Sequence, residues 1–511
     1  MATERHNTSI PRRITQSVIL LAFLVLFITT TYRGGTEIHY PINLFFQADP
    51  LAAAGTMLAA RSLDAFFWPV LAVLVATLFL GRFFCGWFCP MGAVLDTARP
   101  FMKPVDIKKV PSRNLKYYLL FLLLVAAAFS VNLVGIFDPI SILIRSLTLS
   151  VYPLLSAAAF AVFDQLYYWD IPVVTAVSEA IYGVLRNTAL PFQQGFFLLS
   201  AVSLVLFGAI LFAEKIRPRF WCRYLCPLGA LLSLFAGISL LKRKPKGLCP
   251  DCKACSDVCE TGAFGENGEF LKGECILTLS CVRSCEKERA AYSIGIPPRV
   301  STPSLVRRHV VTSLIAGLAV PPLLLIHPKR KLTLDLGIDA VIRPPGAGDE
   351  SEFLSRCIKC GECMMVCPTG GLQPDIFRGG LEGIYSPILV PRIGYCEYHC
   401  TLCGQVCPTG AIEELSVGEK LETVIGMAYI DTNRCLPYAH GINCMVCEEH
   451  CPTADKAIKF NEPTGETSAD GSQLKKPYVI NSLCVGCGIC ENKCPVGGAG
   501  AIIVTSEKAK Y

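Results

Sequence analysis

Sixteen cysteines in the last third of this 511-residue chain fall into four groups of four, and each group ends in Cys-Pro. The first and fourth groups have the spacing C-x2-C-x2-C-x3-C-P, which holds [4Fe–4S] clusters in bacterial ferredoxins. The second and third groups are stretched variants of this spacing. In such motifs three close thiolates bind one cluster and the fourth reaches a neighbouring cluster. The predicted ligands are Cys357, Cys360, Cys363 and Cys367; Cys396, Cys400, Cys403 and Cys407; Cys435, Cys444, Cys447 and Cys451; and Cys484, Cys487, Cys490 and Cys494.

Zinc sites and disulfides are the alternative uses of clustered cysteines. Paired C-x2-C units also bind zinc, but four quartets that each end in Cys-Pro, with almost no surplus cysteine, favour iron–sulfur clusters. Disulfides are typical of exported domains. Cysteines three residues apart, repeated within each quartet, suit cluster-binding loops better than a cross-linked scaffold. We therefore predict four [4Fe–4S] clusters in this part of the chain.

A second cysteine-rich segment, earlier in the chain, is less regular. Its seven cysteines are one short of two complete quartets, and Thr278 stands where the missing cysteine would be. We expect one or two [4Fe–4S] clusters here. The second cluster could be three-iron, use a non-cysteine ligand or be absent, in which case the last three cysteines are buried apolar thiols. The predicted ligands are Cys249, Cys252, Cys255, Cys259, Cys275, Cys281 and Cys285.

The composition indicates a membrane protein: 52% of residues are hydrophobic, 17% are charged and the mean hydropathy is +0.46. Average soluble chains have about 25% charged residues. Residues 140–163 and 171–185 are apolar but carry Arg145, Pro153 and Glu179, which favours re-entrant or interfacial segments. Five other apolar runs come near the roughly 20 residues that a helix needs to cross a bilayer. They are residues 14–32, 65–81, 117–137, 196–213 and 309–327.

Lysine and arginine predict the orientation, because cytoplasmic loops carry the excess of positive charge. They are dense before residue 14, in loop 91–116 and after residue 213, and sparse in the alternating loops. We expect the N-terminus in the cytoplasm and, because the number of spans is odd, the C-terminal domain on the outer side of the membrane. A signal peptide is the alternative for the first run.

The predicted fold class is a polytopic α-helical membrane domain of about five spans joined to α+β ferredoxin-like iron–sulfur domains. The order of the segments follows from the apolar runs and the cysteine groups. The predicted domains are a membrane helical domain at 1–240, a cytoplasmic ferredoxin-like insert at 241–308, an anchor at 309–327 and an external four-cluster polyferredoxin at 335–511.

An internal repeat marks the membrane half. Residues 82–93 and 219–230 both read R-F-x-C-x3-C-P-x-G-A, and both follow an even-numbered apolar run. A duplicated helical hairpin would bring four sulfurs together near a pseudo-two-fold axis. We predict that they act as one redox or metal unit, either a cluster at the membrane edge or a thiol pair, while ordinary buried helix cysteines are the alternative. The four residues are Cys85, Cys89, Cys222 and Cys226.

The sequence excludes several other cofactors. No histidine lies within the first four apolar runs, so bis-histidine haem ligation there is excluded. The chain has no C-x-x-C-H haem attachment sequence, no G-x-G-x-x-G fingerprint and no P-loop. The net charge of +6 follows the membrane loops and indicates no nucleic-acid partner. Electrons are therefore expected to move through clusters only.

Asp138 and Arg145 are ionisable residues in apolar surroundings, which is typical of functional sites in membrane proteins. The alternative is an aspartate that caps a short helix and an arginine that reaches the interface. The sequence leaves both open. No acid/base or nucleophile constellation stands apart from the cysteines, so whether the chain is itself an enzyme also stays open.

Together these motifs resemble ferredoxin-type proteins of periplasmic nitrate reductase systems. Residues 1–300, with the paired C-x3-C-P motifs and the insert, resemble the NapH type, which is related to the MauN and NosR membrane families. Residues 303–511 are similar to the NapG or MauM type of exported polyferredoxin, so the whole chain resembles a NapH–NapG fusion. Arg307 and Arg308, at the junction, resemble a twin-arginine export signal, and ordinary positive-inside residues are the alternative.

The resemblance implies that groups one and four share one ferredoxin-like fold and groups two and three another. Cys357, Cys360 and Cys363 would then share a cluster with Cys494. It also implies a relay of electrons from quinol or a cytoplasmic donor, entering near the C-x3-C-P motifs or the insert clusters, to a periplasmic redox enzyme or cytochrome. The resemblance places the chain in a bacterial inner (cytoplasmic) membrane with the C-terminal domain in the periplasm. The expected partners are membrane lipid, quinol and that periplasmic protein. The alternative function is a maturation factor that supplies reducing equivalents to a periplasmic metalloenzyme.

Overall fold

The computed structural model describes residues 10–38, 41–62, 68–103, 105, 110–192, 195–243, 254–265, 269–285, 290–295, 305–325, 341–461, 467–468 and 471–506. The chain divides into two compact units. The first unit comprises Met1–Phe27, Ile42–Ser146 and Ala201–Leu323, and the second comprises Ile28–Pro41, Leu147–Ser200 and Leu324–Tyr511.

The first unit consists mainly of helices. Its segments are rich in leucine and alanine, which have high helix propensity. Its helices are Ile10–Thr30, Leu44–Gln47, Pro50–Ala60, Trp68–Leu80, Phe83–Trp87, Pro90–Ala98, Leu115–Ala128, Val134–Phe137, Pro139–Ser146, Ser200–Ala213, Pro227–Gly237, Ala254–Asp257, Ser280–Arg283 and Arg307–Leu325, with 3-10 turns at Arg99–Phe101 and Lys272–Glu274 and a π turn at Trp221–Leu225.

Prolines set the helix starts that matter for the cysteine motifs. Pro90 and Pro227 directly follow the last cysteine of each C-x3-C-P motif and are the first residues of helices. Proline is favoured there because its missing N–H would have no partner in the first turn. Each motif therefore consists of a short helical turn followed, after the last cysteine, by a new helix.

Two helices within the described residues are long and apolar enough to cross a membrane, Ile10–Thr30 with 21 residues and Pro139–Tyr168 with 30. Residues 140–163, predicted to be re-entrant or interfacial, instead form part of the second of these, a continuous helical run. A π turn at Leu147–Val151 precedes Pro153, and such a wide turn accommodates a residue that cannot donate a backbone hydrogen bond.

The remaining predicted spans form helices that are shorter or carry prolines. Trp68–Leu80 has 13 residues, and Leu115–Ala128 and Ser200–Ala213 have 14 each. Arg307–Leu325 has 19 residues, with Pro321 and Pro322 inside it, and residue 327 lies outside the described chain. A domain of five spans stays a prediction.

Small antiparallel sheets frame the cysteine-rich regions. In the first unit β1 (Leu241–Arg243) pairs with β2 (Tyr292–Ile294), with Leu241 opposite Ile294. In the second unit β5 (Met427–Ile430) pairs with β8 (Ile502–Thr505), so the strand before the third cysteine group lies beside the strand after the fourth. The strands of the second unit are β3 (Leu372–Pro374) with β4 (Pro387–Leu389), β5 (Met427–Ile430) with β8 (Ile502–Thr505), and β6 (Ile458–Phe460) with β7 (Pro477–Val479).

The core of the second unit is built around its cysteines. Phe353, Ile412 and Ile502 are buried in one apolar cluster that also contains Cys357 and Cys490. The cysteine loops are therefore part of the core, with Cys357 and Cys490 buried and most of the other cysteines half-buried. The helices of this unit are Tyr152–Tyr168, Pro172–Thr188, Glu350–Arg356, Glu362–Met365, Leu402–Gln405, Val417–Glu422, Val446–Glu449 and Ile489–Lys493, with a π turn at Leu436–His440.

Candidate iron–sulfur centres

The sixteen predicted ligands of the second unit surround four separate cavities, with four cysteines at each. Every cavity is lined by three cysteines of one group and the last cysteine of a neighbouring group. Numbered by group, cavity one has Cys357, Cys360, Cys363 and Cys407; cavity two has Cys396, Cys400, Cys403 and Cys367; cavity three has Cys435, Cys444, Cys447 and Cys494; and cavity four has Cys484, Cys487, Cys490 and Cys451.

The partnership of groups one and four that the resemblance implies is wrong. Cys407, not Cys494, completes the cavity of Cys357, and Cys494 joins Cys435 instead. Groups one and two exchange their last cysteines, and so do groups three and four. The physical reason is the strand pairing: β5 and β8 enclose groups three and four in one fold, and β6 and β7 between these groups pair with each other.

Glycines allow the tight cysteine loops. Gly361 and Gly488 lie between the second and third cysteines of groups one and four, and their φ angles are 91° and 81°. Glycine adopts positive φ without the steric penalty of other residues. The short helices Glu362–Met365 and Ile489–Lys493 begin at the next residue, so the third thiol of each loop returns to the same cavity.

Sequence reasoning missed a threonine that lies beside the last cysteine of three groups. In the third group this residue is Thr453. Its Oγ1 atom accepts a hydrogen bond of 3.0 Å from the backbone nitrogen of Ala457, so the hydroxyl hydrogen can point to the cysteine sulfur. The signal was the recurring Cys-Pro-Thr, which the fourth group replaces with Val496. The Oγ1–Sγ distances are 3.6 Å for Thr369 and Cys367, 3.9 Å for Thr409 and Cys407, and 3.2 Å for Thr453 and Cys451.

The thiols fit an iron–sulfur cluster by their chemistry. Burial raises the pKa of Cys400 to about 11 and the pKa of Cys447 to about 12, so a ligand thiol must lose its proton when metal binds. Within the described ranges, no three His, Cys, Asp or Glu side chains form a group that could hold a metal ion. Four thiolates spread around one cavity are the donor set of a [4Fe–4S] cluster.

The described part of the insert brings several predicted ligands close together. The Sγ atom of Cys255 is 3.9 Å from the backbone oxygen of Cys281. Charges at Cys281 and Cys285 add to burial in raising the pKa of Cys255. Cys259 is near Cys281, whose charge likewise adds to burial in raising the pKa of Cys259. Cys249 and Cys252 lie outside the described residues.

A tyrosine that sequence reasoning missed contacts two of these thiols. The hydroxyl of Tyr292, on β2, lies 3.6 Å from the Sγ atoms of Cys275 and Cys281. Burial, together with these neighbouring thiols, raises the pKa of Tyr292, which keeps its hydroxyl protonated as a donor to sulfur. Thr278 is half-buried between Leu277 and Leu279, which both have positive φ. No sequence pattern singles out Tyr292, because it lies outside the cysteine spacing.

The two C-x3-C-P motifs meet inside the first unit. All four of their cysteines are buried. Burial raises the pKa of Cys222 to about 11, and charge at Cys85 adds to this effect. Burial likewise raises the pKa of Cys226, with contributions from Cys222, Cys85 and Cys89. The structure therefore bears out the prediction that the two copies come together.

Each motif places its arginine against the glycine of the other motif. A Cβ atom on Gly229 would lie 2.5 Å from Nη2 of Arg82, and a Cβ atom on Gly92 would lie 2.9 Å from Nη1 of Arg219. The contact of Arg82 with Gly229 and the contact of Arg219 with Gly92 are equivalent, as expected of two copies related by a pseudo-two-fold axis. Within the described chain, the buried Nε and Nη2 atoms of Arg82 have no hydrogen-bond partner, which leaves donors available for an anionic group near Cys226.

Acidic residues of the insert pair with basic residues of the helices in this unit. Glu274 lies 3.1 Å from Nη1 of Arg82 and 2.5 Å from Nζ of Lys116. Glu260 lies 3.1 Å from Nη2 of Arg12. All five side chains are buried. Such pairs hold the insert in a defined position, because separating them would leave uncompensated buried charges.

A backbone contact joins the insert to the first C-x3-C-P motif. The carbonyl of Ile276 occupies the space where a Cβ atom of residue 86 would stand, so only Gly86 fits there. Trp87 donates a hydrogen bond of 3.0 Å to the carbonyl oxygen of Leu277. Cys275 and Cys85 are the chain neighbours of the two contacting residues. Predicted ligands of the insert and of the motif therefore lie close to each other.

Asp138 and Arg145 make structural contacts. The Oδ2 atom of Asp138 accepts a hydrogen bond of 2.7 Å from the nitrogen of Ser141 and so caps the helix that follows. Arg145 is buried and donates to the carbonyl oxygens of Gly135 and Ile136 at 3.1 and 3.2 Å. Asp138 therefore acts as a helix cap, and the buried guanidinium of Arg145 binds the backbone.

Known proteins support the chemistry of these sites. A family model described as "4Fe-4S dicluster domain" matches residues 356–411 and 440–498, and one described as "4Fe-4S binding domain" matches residues 65–107 and 199–246. The dicluster matches follow the division into groups one with two and three with four. No solved structure matches the chain. The fold and these sites define a ferredoxin-type protein that binds [4Fe–4S] clusters and transfers electrons.

Curated relatives give the family. The ferredoxin-type protein MauM of Paracoccus denitrificans is 36% identical over 166 residues, which are 32% of this chain and 70% of MauM. MauM of Methylorubrum extorquens is 34% identical, with 32% of this chain and 73% of that protein covered. The ferredoxin-type protein NapG of Escherichia coli is 33% identical, with 30% and 65% covered. The chain belongs to the MauM family of ferredoxin-type proteins.

Proposed function

We propose that this protein is a membrane-bound iron–sulfur relay that carries electrons from quinol or a cytoplasmic donor to a periplasmic redox protein. The observation that carries the proposal is the backbone contact of Ile276 with Gly86, which brings Cys275 near Cys85. Electron transfer needs closely spaced redox centres. Both units contain cysteine sites, so the chain has more candidate redox centres than the four of a soluble four-cluster ferredoxin.

The ligands follow from the cysteine sets. In the second unit we assign one [4Fe–4S] cluster to each of the four cavities. In the first unit we assign at least one cluster to the insert cysteines, and one to Cys85, Cys89, Cys222 and Cys226. The free donors of Arg82 support this last assignment, because a cluster with four thiolates is anionic and its sulfurs accept hydrogen bonds.

The protein residues control the environment of these sites. When bound, a [4Fe–4S] cluster accepts and donates one electron at a time. Buried loops around Cys357 and Cys490 exclude water, and hydroxyls such as that of Thr453 donate toward ligand sulfurs. The helices Ile10–Thr30 and Pro139–Tyr168 would anchor the chain in the inner membrane, with the insert in the cytoplasm and the second unit's cysteine sites toward the periplasm.

Proteoliposomes with the purified full-length protein test this function. A quinol in the lipid should reduce an impermeant acceptor outside the vesicles, and Cys357→Ser and Cys435→Ser together should slow this reaction at least tenfold. No electron transfer from quinol or from an internal reductant would contradict the relay. A deletion strain separates the alternative: a cofactor-loaded but electron-starved periplasmic enzyme supports the relay, and a cofactor-deficient one supports maturation.

A further inference from the structure

A cavity of about 240 Å³ lies within the second unit, beside cavity two. It is far larger than the cysteine cavities, of which cavity two measures about 30 Å³. Its wall includes Cys367, which also lines cavity two, and Thr369, whose hydroxyl is 3.6 Å from the Cys367 sulfur. A molecule in this cavity would therefore be separated from the second cluster site only by the side chain of a cluster ligand.

The wall combines hydroxyl groups with apolar side chains. Thr148, Tyr152 and Ser156 supply hydroxyls, while Met364 and Phe197 supply apolar surface. Tyr152 donates to the carbonyl oxygen of Ala189 at 2.9 Å, a contact that fixes the position of its ring in the wall. Ligand pockets commonly have this composition, with a few polar groups that orient a mostly apolar molecule. The lining suits a flat ring that carries oxygen substituents.

The size of the cavity suits one substituted ring. A cavity of about 150 Å³ in another protein holds benzene. The volume of about 240 Å³ leaves room for a single ring with oxygen and short alkyl or alkoxy substituents. A long isoprenoid tail would have to leave the cavity, and the helix that carries Tyr152 offers it an apolar surface.

That helix presents apolar side chains to its surroundings. Leu154, Leu155 and Val162 are 56%, 63% and 56% exposed, although they lie in the same helix as the buried Ser156. The helix is part of Pro139–Tyr168, one of the two described helices able to cross a membrane. An exposed apolar face on such a helix is compatible with lipid contact. A lipid-soluble ligand could thus approach Tyr152 and Ser156 from the bilayer.

We infer that this cavity binds the ring of a membrane quinol, and that electrons enter the protein beside Cys367. This inference rests on the proposed relay but moves the entry point of quinol electrons from the C-x3-C-P motifs to cavity two. Quinol loses two electrons and two protons and becomes quinone as its two O–H bonds break. The electrons pass singly to the oxidised cluster that Cys367 would help to bind, and the protons leave to water.

The test uses the full-length protein in lipid nanodiscs and a redox-inert hydroxyquinoline N-oxide as probe. Ser156→Leu fills the cavity and should weaken probe binding at least tenfold. Ser156→Ala keeps the space and should change the affinity less than threefold. Ser178→Leu is the matched control, because Ser178 is 7% exposed on the neighbouring helix Pro172–Thr188 and does not line the cavity. Its affinity should equal that of the wild type.

Quinol-driven reduction of the clusters gives a second reading. In Ser156→Leu it should slow at least tenfold, while reduction by dithionite and the cluster absorbance stay normal. If Ser156→Leu binds the probe and reacts with quinol like the wild type, the cavity is not the quinol site, although the relay stands. If the wild type is not reduced by quinol at all, quinol is not the donor in the proposed function.

Photolabelling of the wild type keeps the inference testable even where Ser156→Leu fails to fold. An azidoquinone should label peptides that contain Tyr152, Ser156 or Phe197, and an excess of quinone should prevent the labelling. Labelling confined to peptides around Cys85 or Cys222 would overturn the inference and return the entry point to the C-x3-C-P motifs.

Discussion

Nη1 of Arg219 donates a hydrogen bond of 2.8 Å to the backbone oxygen of Cys85, so the arginine of the second C-x3-C-P motif binds the cysteine loop of the first. Nη2 of the same guanidinium lies 2.6 Å from Asp96. Arg82 lies against Gly229 of the second motif, as Arg219 lies against Gly92 of the first. The duplicated motif thus works as an interlocked pair, and each copy supports the other.

The glycines at these contacts should tolerate no side chain. Gly229→Ala would push a methyl group against Arg82, and we expect it to destabilise the protein by about 1–3 kcal/mol, as overpacking does. Gly208→Ala is the matched control, because a Cβ at Gly208 meets nothing within 4 Å, and alanine favours a helix. Thermal unfolding in detergent checks the pair. Equal midpoints for the two variants would contradict the interlocked arrangement.

Glu274 should be essential for holding the insert. Glu274→Gln leaves the buried charges of Arg82 and Lys116 without their carboxylate, and breaking a buried pair in this way costs about 3–5 kcal/mol. Asp455→Asn is the control, because Asp455 and Lys459 form an exposed pair, and such pairs contribute little. Limited proteolysis should cleave the insert faster in Glu274→Gln only. Similar digestion of both variants would show that Glu274 does not hold the insert.

The hydroxyl of Thr453 should tune one cluster. Thr453→Val keeps the shape but removes the donor 3.2 Å from the Cys451 sulfur. Hydrogen bonds to sulfur favour the more negative, reduced state. Losing about 1 kcal/mol of hydrogen-bond stabilisation of the reduced state corresponds to roughly 40 mV for one electron. The reduction potential of the cluster assigned to cavity four should therefore become more negative by that amount. Redox titration by EPR measures the potential, with Thr423→Val as control, because the Thr423 hydroxyl donates to the carbonyl oxygen of Glu419 and not to a sulfur. A shift equal to that of the control would refute the role of Thr453.

Exchange of the last cysteines predicts which variants share a phenotype. Cys407→Ser and Cys357→Ser should perturb the same EPR signal, because both residues line cavity one. Cys494→Ser should perturb a different signal, together with Cys435→Ser. Iron content controls for general cluster loss. A signal common to Cys494→Ser and Cys357→Ser would restore the pairing of groups one and four.

The cysteine quartets could be predicted from sequence because cluster ligands lie close together along the chain. The partner of Cys407 could not, since it depends on which strands pair, and β5 joins β8 over a separation that no spacing rule reports. The family resemblance gave the wrong partner here. Thr453 was visible as a recurring Cys-Pro-Thr, but its contact with sulfur required the folded loop.

For the membrane half, the sequence predicted that the two C-x3-C-P motifs meet but not which side chains form the contacts between them. The repeat itself indicated that the two motifs meet, and the structure brings Arg82 to Gly229. The crossing of each arginine to the other copy follows from helix packing, which a linear pattern does not contain. Pro153 favoured a break, yet the π turn before it lets the helix continue, because backbone geometry can adapt locally to a missing donor.

The central claim, a relay with clusters in both units, is tested most directly by counting iron and acid-labile sulfide per chain in anaerobically purified protein. Four clusters of the second unit account for about sixteen iron atoms. We predict a count well above sixteen, falling toward that number when Cys85, Cys222, Cys259 and Cys281 are replaced by serine. A count of sixteen that these replacements leave unchanged would contradict the account.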